Sequence, residues 1–525
     1  MQEFIARHPG QIAGTLSGFD RVVFRGTLRS IAHLEGMQSY LNRKGVLLKD
    51  FDGHVKQVSD RIKEASLGMA QKAGRRVQYL PSSQTSKEQV ARRIAAEDHV
   101  DQGLIAILTC VEPCQSFEVY RNRDEKKLQL QVRERKCLFL YHYWLDPRFG
   151  FMNARLQSWF PFTIQICLNG REWLARQMDG QGIQYLAADN CFPWIEDWKR
   201  AQSLMDEQLR TDWPKALGHL ASALNPIHDS VFEGYPIQYY WTTYQHEWAV
   251  DVIFRESDYL RRLYPRMIEQ GITTFGSTDV LRYLGKRIPL SGNVPWNFRG
   301  EVVSTVKERE EGIRVKHSVN GNSVKLYDKA FTLAGSVLRS EATFQNTSDL
   351  RAFRPKEGDP DGPRTWRRMR RGIADLHRRA ELSKKAAERY LDAYAAIDDS
   401  TTLEQLVAEC HKPATWRGHS VRALRLFSQD RPLLAAIARG EFTATGFRNR
   451  DLQRLLFSSP PQTHRECRRR SAWVSRQLRL LRAHGLITKI NGTHRYLLTS
   501  NGRKITTAVL AALHATIRQL SPLAA

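Results

Sequence analysis

The chain has 525 residues, of which 42% are hydrophobic and 26% charged, and its formal net charge is +25. A chain of this length forms more than one compact core, and its apolar content excludes a wholly disordered protein. No run of about 18 apolar residues occurs and the N-terminus has no apolar signal core, so we expect no membrane partner and a cytoplasmic location.

The positive charge is concentrated in the C-terminal third. Residues 351–525 contain 34 Lys and Arg against 15 Asp and Glu, so +19 of the total +25 lies there. Such a distribution favours a polyanionic partner that is contacted mainly by this third of the chain. The seven cysteines are scattered, with only Cys110 and Cys114 close together, which fits reduced thiols rather than a zinc site.

The first half of the chain mixes helical and strand patterns. Residues 19–28 predict a strand, residues 31–100 are mostly helical, and residues 104–109 are typical of a buried strand. An antiparallel meander follows, with strand-like segments at 117–122, 127–133, 137–145, 152–157 and 162–168, before a helix at 171–178. Residues 195–290 are interpreted as chiefly helical, and residues 302–344 return to strand character.

These patterns predict an α+β fold. It consists of an antiparallel-sheet core with a helical insertion, followed by a helical segment and a C-terminal winged helix. The predicted parts are 1–194 (N-terminal part of the core), 195–300 (helical insertion), 301–354 (strands completing the core), 355–440 (basic linker and helices) and 441–525 (winged helix).

The densest group of chemically useful side chains lies in residues 312–346. Asn320-Gly321 is a hairpin signal between two strands, and a third strand follows. Strand alternation places Lys325, Tyr327 and Lys329 on one face and Asp328 on the other. We expect one polar sheet surface made of Lys316, His317, Lys325, Tyr327, Arg339 and Glu341.

This surface suits phosphodiester chemistry. Glu341 with Asp20 or Asp328 would hold Mg²⁺ or Mn²⁺, and Tyr327 or His317 would be the reactive group. The residues expected to bind phosphate are Lys316, Lys325, Lys329 and Arg339. Two other interpretations stay open: a basic face that clamps a nucleic-acid backbone, and cross-strand ion pairs without a function.

Part of this segment resembles a known class of enzyme. Tyr327-Asp328-Lys329, followed by Leu338-Arg339-Ser340-Glu341, resembles strands of the rolling-circle replication initiators of plasmids and filamentous phages. Those proteins nick DNA with a tyrosine and a metal held by carboxylates. The resemblance covers residues 312–346 and implies a metal-dependent nickase or endonuclease.

A second group of candidate residues lies earlier in the chain, around Tyr141, His142 and Asp146. His142 and Asp146 flank a turn and could act as a general base with an orienting carboxylate. A hydrogen-bonded core histidine is the more common explanation of such a pattern. The aromatic residues between Tyr239 and Trp248 could stack on unpaired bases, although core packing at helical spacing is favoured.

The C-terminal pattern predicts a winged helix. A short helix, a basic helix and a hairpin with Asn491-Gly492 at its tip follow one another. At 100° per residue, the inward face of the basic helix contains Cys467, Ser471, Val474, Leu478 and Leu481. The opposite face contains Arg469, Ala472, Arg476, Arg479 and Ala483. Lys489 and Arg495 are expected to carry the wing to a groove or to the backbone of a duplex.

Motifs along nearly the whole chain resemble an uncharacterised bacterial family that is scattered through genomes like a mobile element. They include Phe19-Asp-Arg-Val-Val-Phe-Arg-Gly-Thr-Leu, Leu140-Tyr-His-Tyr-Trp-Leu-Asp-Pro and Gly446-Phe-Arg-Asn-Arg-Asp-Leu. Members are sometimes labelled MarR-like regulators because of a terminal winged helix. The resemblance implies a nucleic-acid-binding protein of a mobile genetic element.

The expected partners are duplex DNA at the winged helix and DNA or structured RNA at the core, and a homodimer is left open. The alternatives to a strand-processing enzyme are a non-enzymatic RNA-binding component of a ribonucleoprotein and a transcriptional regulator. In the first alternative, the basic sheet and the aromatic residues would grip folded RNA.

Overall fold

The computed structural model describes residues 1–286, 300–309, 312–331, 335–348, 350–356, 358–359, 361–396, 401–442 and 446–516. Its helices are α1 (Gln2–Arg7), α2 (Leu34–Arg43), α3 (Phe51–Lys72), α4 (Lys87–Glu97), α5 (Gly170–Gln181), α6 (Trp198–Glu207), α7 (Trp213–Leu224), α8 (His228–Val231), α9 (Ser257–Thr273), α10 (Ser277–Tyr283), α11 (Leu376–Ala393), α12 (Leu403–Val407), α13 (Arg431–Ile437), α14 (Asn449–Leu456), α15 (His464–Ala483) and α16 (Ser500–His514).

The strands are β1 (Ile12–Thr27), β2 (Arg76–Tyr79), β3 (Gly103–Asn122), β4 (Lys127–Asp146), β5 (Gly150–Gln157), β6 (Ile164–Asn169), β7 (Tyr185–Ala188), β8 (Cys191–Ile195), β9 (Tyr240–Phe254), β10 (Val303–Arg309), β11 (Gly312–Val319), β12 (Asn322–Phe331), β13 (Gly335–Phe344), β14 (Arg351–Arg354), β15 (Thr365–Arg368), β16 (Ala414–Trp416), β17 (His419–Val421), β18 (Ile487–Lys489) and β19 (Tyr496–Leu498).

The largest sheet of the described chain is mostly antiparallel. It has eleven strands in the order β10-β11-β12-β13-β9-β1-β6-β5-β4-β3-β2, with β2 parallel to β3. By contacts the chain divides into two compact units, one with residues 1–15, 249–369 and 378–525, the other with residues 16–248 and 370–377. The predicted α+β class, with an antiparallel-sheet core, is confirmed.

The meander is as predicted, with longer strands. β3 and β4 pair antiparallel from Gly103 opposite Leu145 to Asn122 opposite Lys127, and β5 and β6 continue the antiparallel order. Apolar side chains of β3 and β4 are buried against Ala91 and Ile94 of α4 in one core cluster. Residues 104–110 of β3 are all buried, so both faces of this part of the strand are covered, as the continuous apolar run predicted.

The predicted helical insertion is wrong for residues 240–254, which form the long strand β9. Helices α6 to α10 do flank this strand, and residues 287–299 of the predicted part lie outside the described residues. The segment contains β-branched residues such as Thr242, Thr243 and Val250, which favour strands over helices. The aromatic residues that were interpreted as following a helical period, such as Trp241 and Trp248, therefore lie on a strand.

The hairpin at Asn320-Gly321 is confirmed. Both residues have positive φ, 49° and 78°, as the two central positions of a tight hairpin turn require. One face of β11 to β13 packs on helices: the Tyr264 hydroxyl of α9 donates to the carbonyls of Ile313 and Leu326. The Ser340 hydroxyl likewise donates to the Ala387 carbonyl of α11. The opposite face carries Lys325, Tyr327, Arg339 and Glu341.

The C-terminal part has its own apolar core, which unites α12 to α16. Buried members include Val407, Leu433, Val474, Leu481 and Val509. Residues of α12 and α13 therefore already belong to this core, whereas the predicted C-terminal domain begins at residue 441. Residues 443–445 and 517–525 of the predicted final part lie outside the described residues. None of the helices in the described ranges is long and apolar enough to cross a bilayer.

We predict that two glycines of α5 respond oppositely to alanine. A Cβ on Gly170 would lie 1.8 Å from the Phe19 carbonyl oxygen of β1, whereas a Cβ on Gly180 would meet nothing within 4 Å. Gly170→Ala should lower the free energy of unfolding by about 1–3 kcal/mol, because the strand backbone must move. Gly180→Ala should raise it by about 0.5–1 kcal/mol, because alanine favours helix.

Urea unfolding of the two variants beside the unsubstituted protein is the measurement. Equal changes in both variants would contradict the close approach of α5 to β1.

Candidate functional site

Asp20 is a buried carboxylate on β1. Its side chain is 5% exposed, and the Asn190 amide donates to both of its oxygens, at 3.1 Å and 3.2 Å. Asn190 lies in the turn between β7 and β8. Because Gly170 lets α5 approach the Phe19 carbonyl, the backbone next to Asp20 is held on that side as well. Asp20 is therefore a fixed carboxylate rather than a mobile surface group.

Glu247 on β9 is a second buried carboxylate. It is 8% exposed, and Gln245 donates a hydrogen bond of 2.9 Å to its Oε1. Sequence reasoning did not choose Glu247 as a site residue, because the segment was interpreted as helical. The available signal was the β-branched content of residues 240–254, which predicts a strand.

Glu341 on β13 is the most deeply buried of the three carboxylates, at 3% exposed. The Lys325 ammonium pairs with its Oε1, and the Thr343 hydroxyl donates to the same oxygen at 3.1 Å. Burial favours the protonated acid, but Lys325, Arg339 and Thr343 outweigh burial and hold the pKa of Glu341 below its usual value. Among the described residues, no hydrogen bond reaches Oε2, so one oxygen of an ionised carboxylate is available.

Asp20, Glu247 and Glu341 are all buried, and each offers a carboxylate oxygen. Carboxylate oxygens suit a hard divalent cation such as Mg²⁺ or Mn²⁺. Two of the residues predicted to hold a metal, Asp20 and Glu341, are therefore buried carboxylates, and Glu247 is a third.

Asp328 does not join this group. In the register of β12 and β13, Lys325 lies opposite Glu341 and Asp328 lies opposite Leu338. Asp328 therefore points to the other face of the sheet, because neighbouring strand residues alternate. Burial raises the pKa of Asp328 to about 6. The alternative in which Asp328 and Glu341 share a metal is corrected.

Lysines lie beside Glu341, as predicted for a phosphate-binding face. Lys316 is directly opposite Lys325 on the neighbouring strand. Burial, with the like charges of Lys325 and Arg314, lowers the pKa of Lys316. Lys329 is 3% exposed, with its ammonium 5.9 Å from the centre of the Tyr327 ring. Lys316 and Lys325 are therefore like charges in directly opposite positions of neighbouring strands.

Arg339 has a different role from the one predicted. Its guanidinium donates to both oxygens of Asp251, at 2.6 Å and 3.0 Å. The two side chains are only 1% and 2% exposed. A buried bidentate ion pair of this kind fixes the position of β9, which carries Asp251, relative to β13, which carries Arg339. The prediction that Arg339 binds phosphate is corrected, because the carboxylate of Asp251 already occupies that guanidinium.

The two predicted reactive groups lie on opposite faces. Tyr327 lies opposite Arg339 and shares the face of Glu341, with burial as the main cause that raises its pKa to about 12. His317 lies opposite Val324, on the other face, where its Nδ1 is 2.7 Å from the Ser304 hydroxyl. The prediction that His317 belongs to the polar surface is wrong.

The basic helix α15 shows the predicted arginine face. Arg469, Arg476 and Arg479 are exposed, whereas Val474, Leu478 and Leu481 are buried. Cys467 is exposed, which corrects its predicted inward position.

The two basic wing residues behave differently from each other. Lys489 is exposed, as predicted. Arg495 is only 7% exposed and donates to the Gly446 carbonyl at 2.9 Å. Its guanidinium also lies 4.1 Å from the centre of the Phe353 ring. Arg495 therefore anchors the base of the hairpin, and its predicted contact with a duplex is corrected.

The earlier candidate, His142, is a core residue. It is completely buried, its Nε2 is 3.1 Å from the Ser66 hydroxyl, and burial lowers its pKa to about 4. Asp146 instead accepts from the backbone N–H groups of Arg148 and Phe149 and closes a turn. These contacts explain both residues without catalysis.

In comparisons with known proteins, no family model, no curated protein and no solved structure matches the chain.

We predict that His317 makes stability depend on pH. Burial lowers its pKa to about 4 from the usual 6.5, so the unfolded chain binds more protons than the folded protein between these values. Stability should therefore fall as the pH is lowered, by about 2 kcal/mol per such histidine between pH 7 and pH 5. In His317→Gln this share of the decline should vanish. Urea unfolding at several pH values measures it.

The exposed His494 provides the control, and His494→Gln should leave the pH dependence as it is. An unchanged decline in His317→Gln would contradict the buried neutral state of His317.

Proposed function

We propose that the C-terminal part is a winged helix that binds duplex nucleic acid. The support is the order of its elements: α13, a short extended segment at Phe447, α14, α15 and the hairpin β18–β19. Phe447 exchanges both backbone hydrogen bonds with Tyr496, at 2.9 Å and 2.8 Å, and so adds one β-bridge to the edge of the hairpin. Helices followed by a small β-hairpin wing are the arrangement of a winged helix.

The observation that carries this proposal is the arginine face of α15. Arg469, Arg476 and Arg479 project to solvent from a helix of 20 residues, with the small Ala472 exposed among them. A long basic helix with small residues between its arginines fits the major groove, where guanidinium groups reach base edges and phosphates. The exposed Lys489 and the Asn491-Gly492 tip would contact the adjacent backbone.

We further propose that the core is a metal-dependent phosphodiester-cleaving enzyme of nucleic acid. Asp20, Glu247 and Glu341 would hold the metal, and Lys316 and Lys325, on the two successive strands next to that of Glu341, would bind phosphate. A divalent ion bound there would neutralise phosphate charge and lower the pKa of a bound water. The buried, ionised Glu341 with an available oxygen favours this function over a sheet that only clamps a backbone.

Water is the proposed nucleophile. Tyr327 shares the face of Glu341, but a pKa of about 12 leaves almost no phenolate at neutral pH. The covalent tyrosine chemistry of rolling-circle initiators would require a base that removes this proton. Tyr327→Phe decides between the two mechanisms: retained cleavage supports water, and lost cleavage with intact metal binding supports the tyrosine.

The binding role of α15 gives one prediction. Arg476→Ala with Arg479→Ala should weaken duplex binding by about 10-fold or more and lower the slope of log K against log salt by about 2. The cause is the loss of two phosphate or base contacts. Fluorescence anisotropy with a labelled duplex at several salt concentrations measures both quantities.

Arg121→Ala with Arg123→Ala is the matched control, since both residues are exposed at the far end of β3 and the turn after it. If the α15 variant keeps full affinity and slope, α15 does not enter a groove. Sequencing of co-purified nucleic acid separates duplex DNA from a single defined RNA, which would favour the ribonucleoprotein alternative.

The metal proposal gives another prediction. The protein should bind Mn²⁺ and cleave labelled DNA or RNA in its presence. Asp20→Asn, Glu247→Gln and Glu341→Gln should each weaken Mn²⁺ binding by about 10-fold or more, because each removes an anionic ligand. Isothermal titration with Mn²⁺ alone measures binding independently of cleavage.

Asp328→Asn is the control, since it neutralises a partly buried carboxyl on the opposite face of the same sheet. Equal Mn²⁺ affinity in all four variants would remove the metal site. Tight Mn²⁺ binding without cleavage of any DNA or RNA form would remove the enzyme and leave a structural metal.

A further inference from the structure

The hairpin of β14 and β15 holds arginines opposite one another. Arg351 pairs directly with Arg368 across the two strands, and both side chains are exposed. Like charges in direct cross-strand positions destabilise a sheet. In the described part of the chain, neither residue forms an ion pair with a carboxylate, so none of the described acidic side chains offsets this repulsion.

More arginines converge on the same hairpin from the C-terminal part. Phe353 lies on the face of β14 that carries Arg351, because the two residues are two positions apart. The guanidinium carbons of Arg448, Arg450 and Arg495 lie 5.1 Å, 5.7 Å and 4.1 Å from the centre of the Phe353 ring. One aromatic ring therefore organises three cations beside the opposed pair of the hairpin.

The electrostatic cost of this cluster is visible in Arg495. Burial, together with the like charges of Arg448 and Arg450, lowers its pKa. The nearby Asp451 acts in the other direction, and its carboxylate accepts from the Arg448 backbone N–H. Stacking on an aromatic ring stabilises each guanidinium by only about 0.5–2 kcal/mol, and it does not remove their mutual repulsion.

We propose that Arg351, Arg368, Arg448 and Arg450 form a second contact surface for the phosphate backbone of the bound duplex. The inference rests on the proposed winged helix, because Arg448 and Arg450 stand at the start of α14, directly after Phe447, which forms a β-bridge with the hairpin. The surface is built of planar cations that match phosphate oxygens in pairs. It enlarges the footprint of the protein beyond the groove that α15 would occupy.

A phosphate backbone fits this surface better than an acidic peptide does. Guanidinium groups at several separate positions match the regular repeat of charges along a duplex. Contacts of this kind position a protein on a duplex without reading its sequence. The predicted effect is therefore uniform across duplex sequences, in contrast to the effect of substitutions on α15.

The test compares three double variants of the full chain with the unsubstituted protein on labelled duplexes of two unrelated sequences. Arg351→Gln with Arg368→Gln should weaken binding to both duplexes equally, by about 10-fold at 0.1 M salt, and lower the salt slope by about 2. Arg121→Gln with Arg123→Gln should match the unsubstituted protein, and Arg476→Ala with Arg479→Ala reports on α15. Urea unfolding checks that the hairpin variant is no less stable, as relief of the Arg351–Arg368 repulsion predicts.

The outcomes separate this inference from the function on which it rests. Full affinity and slope in the hairpin variant, with a loss in the α15 variant, overturn the second surface and leave the winged helix. A loss in the hairpin variant alone supports the surface and removes α15 as the groove-binding helix. No binding by the unsubstituted protein to either duplex at low salt overturns both proposals. Binding restricted to an acidic peptide overturns the phosphate assignment.

Discussion

The pairing of buried charges is the constraint on which the candidate site depends. Arg339 and Asp251 sit in the interior with almost no exposed surface, and each satisfies the other through two hydrogen bonds. Loss of one partner from such a pair typically costs about 3–5 kcal/mol, because the remaining charge stays buried. The pair therefore restricts how the strand that carries Glu341 can sit. Two positions along that strand, Glu341 meets Lys325 under the same restriction.

Local rules were enough for much of the sheet. Asn320-Gly321 predicted the hairpin, and alternation along β12 placed Lys325 and Tyr327 on one face. The same rule, applied to β11, would have excluded His317 from this surface. Lys316 and His317 are consecutive residues of one strand, so their side chains point to opposite faces. The partner of Arg339 could not be predicted, because Asp251 is distant in sequence and lies in a segment interpreted as helical.

The C-terminal part shows the same division between local and distant information. The helical period of α15 predicted which residues face solvent, apart from Cys467. The fate of Arg495 was not predictable from its own hairpin, because it is decided by the Phe353 ring, far away in sequence. Residues 355–440, interpreted as a basic linker with helices, contribute Val407 and Leu433 to the core that also buries α15. The periodicity of the sequence predicts which side chains of a helix or strand face inward. It does not predict which distant residues they contact, and those contacts are seen only in the three-dimensional structure.

The ion pair of Glu341 with Lys325 has a consequence for how ligands would be taken up. The Lys325 ammonium neutralises the buried Glu341 carboxylate in the absence of a metal ion. A divalent cation bound through the other oxygen of Glu341 would place a second positive charge beside the Lys325 ammonium. An anion such as phosphate next to Lys325 and Lys316 would then relieve the repulsion between the two cations. Loading of cation and of polyanion would thus be thermodynamically linked, each making the other more favourable through the single carboxylate of Glu341.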